Sequence, residues 1–321
     1  MAQSAPIISW LLDSDPALRW QVERDLLVLP EEQWQATRAL TATEGFGRAL
    51  LDKQDPDGQW AGGAHFPGDF DFEGPEAQPG QGQPYTSTSW SLNSLREWGV
   101  PASALGDTAA RLERNCRWEY DNLPFWDGEV DACINAYTVS NGVWLGRDMS
   151  ALAQWFVDHQ MEEGGWNCEW VEGSTRSSFH STLNSLNGLL DYEIATGDTR
   201  AHEARKKAEE YLLERRLINR MTTGERIGPW VERLTYPNRW MYSSLRVMDY
   251  FVRAYRHDNQ RPDPRMLDAI NIVRDAQDEF GRWVQGPPLK GRVWFEVDVP
   301  QGEQSKWLTL QAMRVLNWWD R

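Results

Sequence analysis

Cysteine is scarce in this sequence, with three residues in a chain of 321. A small odd number argues against a disulfide framework and points to a reducing, cytoplasmic setting. Long apolar runs are missing too. None approaches the ~20 residues that cross a bilayer, so no transmembrane segment is expected. The opening MAQSAPIISWLLDSD has no basic stretch ahead of its short apolar one, and acids follow at once. A secretory signal is therefore not expected. Positive charge is in deficit, 33 Lys and Arg against 48 Asp and Glu, for a formal charge of −15. Long-range repulsion argues against free nucleic acid and anionic membranes as partners, while leaving room for a small anion in a local basic pocket.

Tryptophan is the residue in excess, at 19. It brings a large flat apolar area and a single donor, so the excess points to repeated packing motifs, an aromatic-lined cavity, or both. With 40% hydrophobic and 25% charged residues the chain reads as folded and soluble. Its length suits two ordinary domains or one large closed architecture.

Three stretches share one pattern: LLDKQDPDGQWAGG with Gln54 and Trp60, FVDHQMEEGGWNCE with Gln160 and Trp166, and VRDAQDEFGRWVQG with Gln277 and Trp283. In each, the Trp follows the Gln by six positions, with acids and a glycine between. The stretches lie 106 and 117 residues apart. That is roughly two units of 50–60 residues, a spacing that suits helical-pair repeats. Weaker copies are expected halfway, at 115–129 and 215–230.

Each loop is preceded by a predicted amphipathic helix, at about 34–53, 105–118, 148–160, 200–217 and 264–277, and followed by another, at about 86–98, 131–146, 178–192, 239–255 and 304–319. The stretch HEARKKAEEYLLERR (202–216) is charged on most faces and is expected to lie outside. The following helices are richer in Leu, Trp, Tyr, Ser, Thr and Asn, carry little charge, and read as buried nearly all round. A further pair near 5–13 and 16–28 brings the set to six hairpins. The expected fold is all-α: residues 1–321 as a single (α/α)6 toroid with inner and outer helix rings and a long loop at about 61–85. A linear solenoid is the rival, because the same period would serve an open array.

These loops resemble the QW repeats of the terpenoid cyclase and protein prenyltransferase superfamily. QDPDGQWAGG, GGWNCEW and SSFHSTLNSLNGLL are similar to stretches of the small bacterial squalene-cyclase-like proteins. The resemblance covers most of the chain, and it bears more on fold than on function, since one fold hosts many chemistries. Class II cyclases of this superfamily protonate an alkene or epoxide with an Asp-x-Asp-Asp motif, which is absent here. DSDP (13–16) and DFDFE (69–73) lack the paired terminal acids, and Asp15 with Pro16 reads as a helix start.

The protein prenyltransferases hold a catalytic zinc with Asp, Cys and His. The resemblance places Asp131 and Cys133, in EVDACINAYTVSNG, and His180, in RSSFHSTLNSLNGL, at corresponding points of consecutive repeats. Zinc accepts such donors, and three protein ligands leave a position open for a thiol or water. Cys168 allows a second set, Cys133, Cys168 and His180, similar in ligand type to the zinc of lanthipeptide cyclases, whose adjacent Cys-His is absent here. Asp131 and Cys133 would point about 200° apart on a helix, so they share a metal only if the helix starts between them. Cys168 carries no such condition. Asp131 and His180 are thus the candidate catalytic residues, Cys133, Cys168 and His180 (with Asp131) the candidate metal ligands, and zinc the implied cofactor.

Plainer readings stand beside these. A buried Cys is usually a small hydrophobe, Asp131 can simply cap its helix, and His180 can hydrogen-bond internally. Yet His180, Asn184, Asn187 and Asp191 form a polar stripe at helical spacing, beside an apolar stripe of Phe179, Leu183, Leu186 and Leu190. A helix buried all round keeps a polar stripe only where it faces water, a ligand or a polar network. Trp90, Tyr137, Asn184, Trp240, Tyr242 and Trp307 are candidate cavity-lining residues, whose rings would stabilise a carbocation, stack on a sugar, or fill the core.

Other candidates are His65, Asp69 and Asp71 on the long loop, which reads as a lid or as an insertion. Asp127 and Glu129 are paired acids ahead of Cys133, suited to proton transfer or to solvation. Arg176, Arg239 and Lys306, near inner-helix starts, suit a phosphate clamp or rim ion pairs. The sequence points to an enzyme acting on a small apolar, isoprenoid-like molecule. The alternatives are an apolar-ligand-binding protein without the catalytic acid, and a carbohydrate-active (α/α)6 enzyme, which needs two facing carboxylates about 5–10 Å apart.

Overall fold

The structure, a computed structural model, describes residues 5–321, and they are mostly helical. The helices are α1 (Ala5–Leu12), α2 (Pro16–Asp25), α3 (Glu31–Ala39), α4 (Gly45–Leu51), α5 (Thr88–Glu97), α6 (Thr108–Asn115), α7 (Ala132–Trp144), α8 (Ser150–Asp158), α9 (Phe179–Thr196), α10 (His202–Glu214), α11 (Ser244–His257), α12 (Leu267–Asp275) and α13 (Lys306–Trp319). A short antiparallel pair, β1 (Trp283–Val284) and β2 (Gln304–Ser305), aligns Trp283 with Ser305. No described helix is long and apolar enough to cross a membrane. The chain divides into two compact units. One holds the chain up to Phe46, Leu212–Leu289 and Glu296–Arg321; the other holds Gly47–Tyr211 and Lys290–Phe295.

The Gln/Trp loops have a common geometry. The glycine four residues after each Gln takes a left-handed backbone, with φ of 98° at Gly58, 100° at Gly164 and 77° at Gly281, a conformation that side chains disfavour. The chain turns there, and the Trp two residues on is buried. Its indole N–H donates to the carbonyl ten residues back: Trp60 to Leu50 at 2.9 Å, Trp166 to Phe156 at 2.9 Å and Trp283 to Val273 at 2.7 Å. Its backbone N–H donates forward to a threonine hydroxyl of the next helix, Thr88, Thr182 or Thr309, at 3.1 Å in each case. One residue thus ties the helix before the loop to the helix after it. Gln54 and Gln160 close their own turns by donating to Gly58 and Gly164 and extend the tie to Thr108 and Ala204. The intermediate loops close differently, through single bridges of Arg117 with Pro124 and Asn219 with Arg226.

In the second unit α7 and α9 pack closely and run parallel. Gly188 makes this possible, since a Cβ there would lie 2.8 Å from the Ala136 carbonyl oxygen. Most of both helices is buried, and the polar stripe of α9 faces neighbouring polar groups. Asn184 bonds with Cys133 and Tyr137 of α7. Asp191 pairs with Arg96 of α5 at 2.7 Å, and Arg96 and Asn93 both bond Asn141 of α7. Asn184 and Asp191 of the stripe are thus held in a network joining three helices, while Asn187 donates to the Leu183 carbonyl of its own helix.

Two local departures from the sequence reading have clear causes. The helix expected over 34–53 breaks, because Asp15, thirty-one residues upstream of Phe46, accepts the Phe46 N–H at 2.9 Å while its other oxygen caps α2 at Ala17. The charged helix α10 does not lie wholly outside. Arg205 is fully buried, neutralised by Glu193 at 2.8 Å and Glu209 at 2.7 Å, which is the condition for burying such a charge. In the first unit Arg314 of α13 plays the same part between Asp25 and Asp249.

Replacing Thr182 with Val keeps the side-chain shape but orphans the buried Trp166 N–H. The expected loss is about 1–3 kcal/mol of unfolding free energy by urea titration, with helix content unchanged. An unaltered midpoint would show that the tie to α9 carries no stability.

Candidate functional site

Cys133 and Cys168 come together at the starts of two helices. Cys133 is the second residue of α7, and Cys168 opens a short turn, Cys168–Glu172, that leads toward α9. The turn is held from both ends. Asn167 accepts the Glu169 N–H and donates to the Arg176 carbonyl, and the Trp170 indole donates to the Val130 carbonyl at 2.8 Å. This anchors the cysteine against the α7 start. The Cys133 N–H then donates to Cys168 Sγ at 3.4 Å. Asp131 holds the N-cap position, but its carboxylate makes no capping bond; the sulfur of Cys168 takes that role for one of the free amides.

The surrounding groups polarise the pair. Ser181 of α9 donates its hydroxyl to Cys168 Sγ at 3.4 Å and accepts the Cys168 N–H at 3.2 Å. Asn184 donates to Cys133 Sγ at 3.2 Å. The thiol of Cys168 hydrogen-bonds to that of Cys133 and, with Asn184 and Ser181, holds the Cys133 thiol below its ordinary range against the opposing effect of burial. Cys168 is pushed up in turn, first by the same bond and then by burial. The start of α7 adds partial positive charge, which favours a thiolate. Both cysteines are half-buried and free, whereas Cys116 is buried, with its thiol pushed up by desolvation.

From Cys133 the site runs inward. The Tyr137 hydroxyl and Asn184 Oδ1 are 3.3 Å apart, and the Tyr137 ring lies 5.4 Å from that of Trp90. Trp90 also meets Tyr85 at 5.1 Å and His65 at 4.9 Å. Its indole N–H is buried and has no partner among the described residues. Burial pushes the His65 imidazole down to about 3, so it is neutral, with Nδ1 3.1 Å from the Ser89 hydroxyl. Upstream of α7, burial and then the Asp131 charge push the Glu129 carboxyl up to about 7, and that carboxylate accepts the Asp131 N–H at 2.9 Å. Asp131 is itself raised, by burial and then by Glu172.

The remaining expected residues are placed as follows. His180 is half-buried at the second position of α9. Among the described residues, no three donor atoms of Asp131, Cys133, Cys168 and His180 lie within 4.8 Å of one another. Tetrahedral zinc places its donors about 4 Å apart, a spacing that no three of these residues share here; the two sulfur-bearing segments are what come together. Tyr242 is buried with its hydroxyl donated to Leu217 at 2.6 Å. Trp307 is stacked on Tyr236 and donates to the Val297 carbonyl. Trp240 is half-buried, as is Arg239 before it. Lys306 bonds the Asp13 carbonyl, Arg176 and Asp127 are exposed, and Asp71 lies on the exposed part of the long loop. Asp69 pairs with Arg292. That loop is pinned along its length, by Glu119 accepting the N–H groups of Ala64, His65 and Phe66 and by Gln83 and Tyr85 donating to Lys290 and Arg292.

Ser181 was not legible as a site residue. Its signal was present, since it stands three residues after Ser178, the helix cap that accepts its N–H. The chain matches no protein-family model, no curated protein and no solved structure.

Iodoacetamide should modify Cys133 faster than Cys168, with a rate that titrates below the ordinary thiol range; Asn184→Ala should move that titration upward. Equal rates at the two cysteines would contradict the polarisation. Glu129 has a raised folded-state value, so its ionisation costs stability as pH rises from its ordinary range to about 7. Glu129→Gln should therefore stabilise the protein by roughly 1–3 kcal/mol at pH 8 and by little at pH 4. Urea titrations at the two pH values check the sign.

Proposed function

We propose that this chain is an (α/α)6 toroid of the terpenoid cyclase and protein prenyltransferase kind, and an enzyme acting on a small apolar, isoprenoid-like substrate with Cys133 as its reactive group. The observation that carries the reading is the line from Trp90 through Tyr137 and Asn184 to Cys133. Aromatic faces suit an apolar or partly cationic carbon skeleton. The unpartnered Trp90 N–H requires an acceptor, which an oxygen function on the substrate supplies. A thiolate at a helix start is a nucleophile toward an electrophilic carbon. Glu129, poised near neutrality at the approach to the same helix, is suited to passing a proton. The recurrent Gln/Trp ties between successive helices support the toroid reading.

A second reading, a non-catalytic binder of apolar ligands, is favoured by the fate of the sequence's other acids. Asp15 caps α2 and holds Phe46, and Asp69 is paired with Arg292, so neither is free to protonate an alkene.

Native mass spectrometry with farnesol, farnesyl diphosphate and cellohexaose discriminates among the readings. The expected result is a one-to-one prenyl adduct, weakened at least tenfold by Trp90→Ala, with turnover lost in Cys133→Ser. Prenyl ligands bound but recovered unchanged would establish the binder. Binding of the oligosaccharide alone would reject the apolar substrate.

A further inference from the structure

We propose that Cys133 and Cys168 form a thiol–disulfide exchange pair, Cys133 attacking and Cys168 resolving, which reduces small disulfides at the expense of its own two thiols. This goes beyond the proposed function and does not depend on it. The inference rests on the arrangement of the two sulfurs. They belong to segments 35 residues apart in sequence, yet the Cys133 amide bonds Cys168 Sγ, and Ser181 and Asn184, one turn apart on α9, donate to the two sulfurs. Both are unlinked and half-buried. They lie beside the starts of α7 and α9, where free amides and the helix dipole stabilise a sulfur anion. Asn184 donates to Cys133 Sγ, so that sulfur carries the charge before attack. Ser181 donates to Cys168 Sγ and can follow it as it becomes anionic.

The exchange balances as follows. Cys133, having released its proton to solvent, attacks one sulfur of a small disulfide RS–SR. The S–S bond breaks, a Cys133–SR bond forms, and RS⁻ leaves, taking up a proton from solvent. Cys168 then loses its proton and attacks the Cys133 sulfur. The Cys133–SR bond breaks, the Cys133–Cys168 bond forms, and the second RS⁻ leaves with the proton that Cys168 released. Two protein thiols are oxidised and one disulfide is reduced to two RSH. Cys116, buried and held as a thiol, takes no part.

The test uses the full chain and glutathione disulfide as the probe. After incubation, acid quenching and unfolding, maleimide labelling is counted by intact mass. The expected change is from three labelled cysteines to one, with a loss of two hydrogens and a crosslinked peptide pair containing Cys133 and Cys168. Cys168→Ser should stop at one stable glutathione adduct on Cys133, and Cys133→Ser should form an adduct on Cys168 at least tenfold more slowly. Three labels persisting in the wild-type protein, or adducts forming at equal rates in the two variants, would overturn the proposal. The wild-type count requires no variant to fold. Because the readout is mass, loss of this proposal and loss of the isoprenoid reading are separate results.

Discussion

The double attachment of one tryptophan, backward by its indole and forward by its amide, is the constraint on which the helical arrangement depends. Helices joined by loops are free to slide and rotate unless something couples both ends of the connection. Trp60, Trp166 and Trp283 do this while burying a large ring, so apolar burial and bond direction act at the same point. Burial supplies most of the free energy but has no direction, whereas the two N–H bonds add little net energy and fix geometry. A left-handed glycine two residues earlier lets the chain reach the ring's position without strain.

The thiol site inherits its geometry from this constraint. Trp166 fixes the loop from which Cys168 emerges, Thr182 of the same tie lies next to Ser181, and Ser181 grips the Cys168 sulfur. The close approach at Gly188 sets α7 against α9 and so brings Asn184 to Cys133. Three residues within one helical turn, Ser181, Thr182 and Asn184, thus serve fold and site at once, Ser181 and Asn184 by polarising sulfur and Thr182 by holding the loop.

Much of the helical layout was legible because amphipathic periodicity and the repeated Gln/Trp spacing are local signals. The starts of α7 and α9 lie within a residue of where the sequence pattern puts them, and Cys133 and Cys168 lie close to those starts. What was not legible depends on partners remote in sequence. The break before α4 is caused by Asp15, and the burial of Arg205 by Glu193. The sequence shows aromatic residues but not whether their polar atoms are committed: Tyr242 and Trp307 have theirs satisfied by the backbone, while Trp90 does not. His180 lies one residue before Ser181 at the start of α9, and a sequence gives the spacing of such residues but not the distances between their donor atoms.

The run at Lys290–Phe295 has a further consequence. It is flanked on both sides by segments of one compact unit yet belongs to the other, where it pairs with Gln83 and Tyr85 and offers Arg292 to Asp69 and Glu76. More than two hundred residues separate these partners. During synthesis the Gly47–Tyr211 segment therefore has that edge unmet until Lys290–Phe295 has followed it off the ribosome. Because the segments of the two units alternate along the chain, a single cut cannot separate them.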